Sequence, residues 1–140
     1  MISRRLLRAY AATDYLIPEA ELRLTIDRRS RDLIVWLRRQ QVRRVAILTA
    51  CNPRSRQLGK RENAARNAAL AEELRAYGLR FLAALGQPQS GAWPAEPSFA
   101  ILDIGPAKLD ALGRRWGQNA AVLAGLDGRP RLRCFTGMIG

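Results

Sequence analysis

Histidine is absent from all 140 residues. That absence excludes Ser-His-Asp and Cys-His triads and every histidine-ligated metal site. Acid–base chemistry, where there is any, falls to carboxylates, Tyr, Lys or Cys. Cysteine is nearly absent as well. Cys51 and Cys134 provide neither a disulfide framework nor a metal-ligand spacing. Reduced thiols in a cytoplasmic setting are expected, with Cys51 a small packed thiol. No apolar run approaches the length that spans a bilayer, so no membrane partner is expected. The N-terminus lacks the uninterrupted apolar stretch of a secretory signal. Aromatic residues make up only 6% of the chain.

Acidic residues are scarce, 12 against 24 basic ones, for a net charge of +12. The excess is uneven: residues 1–70 hold 16 basic and 6 acidic groups, residues 71–140 hold 8 and 6. This asymmetry favours an anionic partner such as a nucleotide, nucleic acid or membrane surface, of which the first two remain candidates. Arg outnumbers Lys 22 to 2. Compositional bias explains that preference but not the shortage of acids. Hydrophobic content of 48% and the chain length suit one globular domain spanning residues 1–140.

Periodicity predicts a helix over 3–12, with Leu6, Leu7 and Tyr10 near one face. Leu22–Ile26 alternates like a half-buried strand. Ser30 caps a helix containing Leu33, Ile34, Trp36 and Leu37. Val45–Leu48 reads as a central strand. A long helix follows from Lys60 to Ala76, with Gly78 as its stop and Ala64, Ala65, Ala68, Ala69, Leu70 and Leu74 as its packing face. Further strands are expected over 79–85, 99–102, 121–126 and 132–135, and a helix over 106–116. The expected fold is α/β, or α+β. It has a mixed, mainly parallel central sheet of five to six strands with three to four helices in one layered domain. Strands 22–26, 45–48 and 79–85 should point the same way. If the strand at 99–102 runs antiparallel to that at 79–85, residues 49–56, 93–98 and 117–119 meet at one sheet edge, where open sheets bind ligands.

The segment TACNPRSRQLGKRENAAR, residues 49–66, carries the richest polar chemistry. Arg54, Arg56, Lys60, Arg61 and Arg66 face a single acid, Glu62, and the start of the long helix adds positive potential. Phosphate or carboxylate is the matching ligand group. A Walker loop is excluded, because no Gly stands five residues before Gly59 and Arg61 follows Lys60. Turn-forming Asn52 and Ser55 with solvated arginines are the structural alternative. Glu62 and Arg66 share a helical face, either as an ion pair or as an orienting acid beside a ligand-binding Arg. Glu96, between two prolines, is a candidate base or ribose acceptor, or else an Arg partner. Trp93 could stack on a base or plug the core edge. Gln118 and Asn119 offer amide donors and acceptors, or cap a helix. Asp103 and Asp110 read as turn and surface-helix positions.

Tyr10-x-x-Thr13-x-Tyr15, Thr49-Ala50-x-Asn52-Pro53-x-Ser55, Glu62-Asn63-x-x-Arg66, Trp93, Glu96-Pro97-Ser98-Phe99 and Gly117-Gln118-Asn119-Ala120 together resemble the uncharacterised bacterial family called domain of unknown function 3293. The resemblance covers most of the chain. It implies that Asn52, Ser55, Glu62, Asn63, Arg66, Glu96 and Gln118 form one site, and it brings no established activity, cofactor or substrate. The expected function is a pocket for an anionic small molecule, a nucleotide or other phosphorylated metabolite. Asn52, Arg54, Ser55, Asn63, Arg66, Trp93, Gln118 and Asn119 would bind the ligand, with Glu62 or Glu96 for any acid–base step and no metal. The alternatives are a basic nucleic-acid-binding module, for which no recognised motif is present, and an interaction domain without catalysis.

Overall fold

The structure, a computed structural model, describes residues 2–90 and 94–135. Helix α1 (Arg4–Ala11) is capped by the Ser3 hydroxyl and leads directly into β1 (Thr13–Ile17). A short 3-10 turn follows, then β2 (Leu22–Thr25). Helix α2 (Arg31–Arg39) begins at Ser30, whose side chain accepts from the Leu33 N–H. The central unit is β3 (Arg44–Leu48), α3 (Lys60–Ala76), β4 (Phe81–Pro88), β5 (Glu96–Leu102), α4 (Pro106–Arg115) and β6 (Ala120–Gly125). β7 (Arg131–Cys134) completes the order.

The seven strands form one sheet in the order β2-β1-β4-β5-β3-β6-β7, and every neighbouring pair is antiparallel. The expected mainly parallel sheet of five to six strands is therefore corrected to seven antiparallel strands among the described residues. The crossover through α2 passes over β1, β4 and β5. Those through α3 and α4 each skip one position, and an antiparallel strand fills it: β5 lies between β3 and β4, and β3 lies between β5 and β6. This is the interleaved connectivity of a split βαβ pair. Successive antiparallel pairings still leave β2, β3 and β4 pointing the same way, although none of them touches another.

The sheet is covered on both faces. On one, Leu33 and Leu37 of α2 pack with Tyr15, Ile17, Leu24, Val45, Ile47 and Leu102. On the other, Leu70, Leu74, Leu109 and Leu112 of α3 and α4 cover Ala46, Leu48 and Ile101. The alanines expected to line the inner face of α3 are exposed. Its buried stripe is Asn67, Leu70, Ala71 and Leu74, an i, i+3, i+4, i+7 pattern whose leucines bury far more apolar area than alanine offers.

The two edges of the sheet are tied by their loops. The Asp27 N–H donates to the Pro130 carbonyl at 2.8 Å and the Ser30 N–H to Gly128 at 2.7 Å. Gly128 has φ 76°, and a Cβ there would lie 2.7 Å from Ile34 Cδ1 and 2.9 Å from the Ser30 carbonyl oxygen. Gly128→Ala should therefore lower stability by about 1–3 kcal/mol through strain and overpacking. Urea denaturation reads this as a lower midpoint, and an unchanged midpoint would contradict the close approach.

Candidate functional site

The chain leaves β3 through Thr49, Ala50 and Cys51 and turns sharply at Asn52–Ser55. Asn52 (φ 47°), Arg54 (φ 56°) and Ser55 (φ 62°) all occupy left-handed backbone, with no glycine among them. Such conformations cost about 1–2 kcal/mol for ordinary residues and least for Asn. Surrounding groups hold the turn in place. Asn52 Oδ1 accepts from the Leu58 N–H and from Asn63 Nδ2, both at 2.9 Å. Asn52 Nδ2 donates to Glu96 Oε2 at 3.0 Å, and its backbone N–H donates to Asn63 Oδ1 at 2.9 Å. The Arg54 N–H donates to the Gly117 carbonyl at 2.7 Å, and Asn119 Nδ2 donates to Ser55 Oγ at 2.9 Å. Gly117 ends α4 at φ 68°, and a Cβ there would approach Pro53 Cβ to 3.0 Å.

A second set of bonds fixes Thr49–Cys51. Asn67 accepts from the Ala50 N–H at 2.8 Å and donates to the Pro97 carbonyl at 3.0 Å. The Thr49 hydroxyl donates to the same Pro97 carbonyl at 2.8 Å. Arg66 donates through Nε to the Ala50 carbonyl and through Nη2 to the Trp116 carbonyl, each at 2.6 Å, and its guanidinium lies 5.4 Å from the Trp116 ring centroid. Gln118 Nε2 donates to the Cys51 carbonyl at 3.0 Å. Arg66 and Gln118 thus act as clamps between β3, α3 and the end of α4.

Glu96 opens β5 rather than lying in a loop: it pairs with Gly86, which in turn pairs with Tyr15 on β1. Residues directly opposite share a face, so Tyr15 and Glu96 flank a position that carries no side chain. Burial raises the Glu96 carboxyl above the usual range, partly offset by the Asn52 hydrogen bond. Burial, with Glu96 and Cys134 nearby, also pushes the Tyr10 phenol up. Tyr15 is raised by burial, Tyr10 and Glu96. Burial raises the Cys51 thiol as well, so it is a packed thiol rather than an activated one. Among the described residues Glu96 forms no salt bridge, in a chain with twice as many bases as acids.

The structure gathers Asn52, Ser55, Asn63, Glu96 and Asn119 around one turn, with Arg66 and Gln118 behind it. Arg54 sits exposed on the rim with Arg56, Lys60 and Arg61. Glu62 is exposed and makes no ion pair with Arg66, because Arg66 turns inward to carbonyl oxygens. Trp93 lies outside the described residues. Asn67 is the site residue that sequence reasoning passed over. Its i+4 spacing from Asn63, beside Arg66, was the available signal. Two open depressions, of about 400 and 360 Å³, lie away from this turn. Among the described residues no three Cys, Asp or Glu side chains group as a metal site requires. No helix there is long and apolar enough to cross a membrane.

Fold and site together define an α+β protein with a strained, polar turn clamped at one sheet edge. The chain belongs to the family described as Protein of unknown function (DUF3293), which matches residues 48–121. That span covers the whole clamp and Glu96, leaving Tyr10, Tyr15 and Cys134 outside it. No curated protein and no solved structure matches the chain.

Arg66→Ala should lower the unfolding free energy by about 2–4 kcal/mol, since two hydrogen bonds from a charged donor are lost. Glu62→Ala should stay within about 0.5 kcal/mol. Urea titration of both variants checks the contrast. The raised Glu96 carboxyl means the folded state holds this proton to higher pH than the unfolded state. Its contribution to stability therefore falls as pH rises from the ordinary glutamate value through the raised one. Glu96→Gln should remove that fall, so the stability gap between variant and wild type widens in the variant's favour across this window and then levels. A pH-independent gap would contradict the burial.

Proposed function

We propose that the edge around Asn52–Ser55 binds a small ligand carrying a phosphate or carboxylate, with a nucleotide or other phosphorylated metabolite as the class. The observation that carries this reading is the run of three left-handed, glycine-free positions held by side chains from α3, β5 and the α4–β6 connection. Strain of this kind is retained where a backbone must present groups in one geometry. What the turn presents is basic: Arg54 and Arg56 on it, Lys60 and Arg61 in the following helical turn. Helix α3 starts at Gly59 without a side-chain cap. An anionic group over that start gains both the arginines and the helix potential.

Glu96 and Tyr10 give the ligand's other end a different environment, a carboxyl group held by Asn52 and in no salt bridge among the described residues, with a phenol nearby. A ligand hydroxyl, amine or ring N–H fits there as donor, and Glu96 is the group that would exchange a proton with it. Asn63, Arg66 and Gln118 act in this reading through the backbone they hold, not by touching the ligand. Two free cysteines support placement in a reducing cytoplasm.

Thermal-shift screening of nucleotides, sugar phosphates and small carboxylates tests the reading. A true ligand at 100 times its Kd should add about 2.7 kcal/mol of stability. Arg54→Ala with Arg61→Ala should weaken that ligand at least about tenfold while leaving unliganded stability within about 0.5 kcal/mol. A panel in which nothing stabilises the protein, or a double variant that binds as wild type does, would overturn it.

A further inference from the structure

A second basic surface stands apart from this edge, at the loops that join the two outer strands. The two open depressions are lined by eight arginines and two aspartates, in a chain with 12 acidic residues to distribute. One depression is built on the β2–α2 loop, with Arg28, Arg29 and Arg31. The other is built on the start of β3 and the β6–β7 hairpin, with Arg43 and Arg44. The loops between them are sewn together by the bonds from Asp27 to Pro130 and from Ser30 to Gly128, and Arg129 Nη1 adds a third to the Asp27 carbonyl at 2.9 Å. The depressions therefore belong to one strip, and the close approach at Gly128 fixes their relation.

Ion pairs account for only part of this charge. Arg131 pairs with Asp127 at 2.7 Å, and Arg133 grips Asp110 with two bonds of 2.7 and 2.8 Å. Arg23 is held by Asp14. Arg28, Arg29, Arg31, Arg43, Arg44 and Arg129 form no salt bridge among the described residues. Arg28, Arg29, Arg31 and Arg129 stand at the two joined loops, with Arg43 and Arg44 at the adjoining start of β3. An anionic surface laid over these six guanidinium groups relieves their mutual repulsion.

We propose that this strip docks on the phosphate backbone of a nucleic-acid duplex, without reading base sequence. A polymer of regularly spaced phosphates can engage both open depressions at once, which a single small anion cannot. Neither lining includes an aromatic side chain, so the strip offers no stacking platform for unpaired bases. A protein partner fits poorly, because charged groups are depleted at the centres of protein interfaces and here they form the centre. Backbone contact through arginine is the chemistry that remains, and it is sequence-independent.

The test is fluorescence anisotropy with labelled 20-base-pair DNA and RNA duplexes of unrelated sequences. Four to six phosphate contacts should give a log–log salt slope of about −4 to −5. Binding should vary little between sequences. Arg28→Glu, Arg29→Glu and Arg31→Glu combined should weaken it at least about tenfold at 0.1 M salt. A charge-matched control, Arg75→Glu, Lys108→Glu and Arg114→Glu on α3 and α4, should stay within about threefold of wild type. The milder Arg28→Gln, Arg29→Gln and Arg31→Gln set repeats the comparison without introducing acids. Absence of duplex binding at 50 mM salt, or equal losses in the strip and control variants, would overturn the proposal. Stronger binding to anionic lipid vesicles than to either duplex would overturn it too. None of these outcomes bears on the Asn52 edge, whose test uses small ligands.

Discussion

Asn52 holds a left-handed backbone conformation while all three polar groups it offers to the site are engaged. Its side-chain oxygen takes two donors, its side-chain amide donates to Glu96, and its backbone N–H donates to Asn63. A glycine would adopt this conformation at no steric cost but could make none of the side-chain bonds. Aspartate would lose the donor to Glu96 and place a second carboxylate beside it. Once Asn52 is fixed, the path of residues 53–58 and the start of α3 follow. Arg54 and Ser55 then meet the end of α4 through Gly117 and Asn119.

The arginines divide by what their donors meet. Arg66 spends two of its donors on carbonyl oxygens and works as an internal brace, much as Arg80 does more modestly at the Gln40 carbonyl. Arg133 and Arg23 are neutralised by aspartates. Arg75, Arg115 and Arg131 pair with carboxylates on the surface. Of the described arginines in no salt bridge, Arg54 and Arg56 project from the Asn52 turn and Arg28, Arg29 and Arg129 from the joined outer loops, where they set the potential an approaching anion meets. Exposed pairs contribute little to stability. The net charge of +12 therefore concerns encounter with partners more than folding.

Much of the element order was legible because the apolar spacing is regular. Leu33 and Leu37, the run Val45–Leu48 and the Ser30 cap each carry a local signal that tertiary structure did not override. β1 was not legible: buried Asp14 interrupts its apolar pattern, and the partners that satisfy it, Arg23 and Thr25 on the next strand and distant Gln89, leave no local signal. Strand neighbours were misread for a general reason. Direction follows from a helical crossover, whereas adjacency depends on which strand inserts between, and no local pattern in β5 announces that. Convergence of residues 49–56, 93–98 and 117–119 at one edge needed only strand direction, including an antiparallel β5 beside β4. For residues 49–56, 96–98 and 117–119 it was therefore readable despite the wrong sheet, while Trp93 lies outside the described residues. Asn67, and the turn of Arg66 inward to carbonyl oxygens, were hidden because a helix carrying many alanines and charges gives almost no periodic signal.

Central to this account is that the polar residues of the turn hold its backbone ready before any ligand arrives. Three amides report on this directly, since those of Ala50, Asn52 and Leu58 donate to asparagine side chains rather than to the sheet. Native-state hydrogen exchange on the unliganded protein should show all three protected to a degree comparable with Ala46 and Leu48 in β3. Exchange at the rate of an unstructured peptide, while β3 stays protected, would mean that the turn is not preformed and would contradict the account.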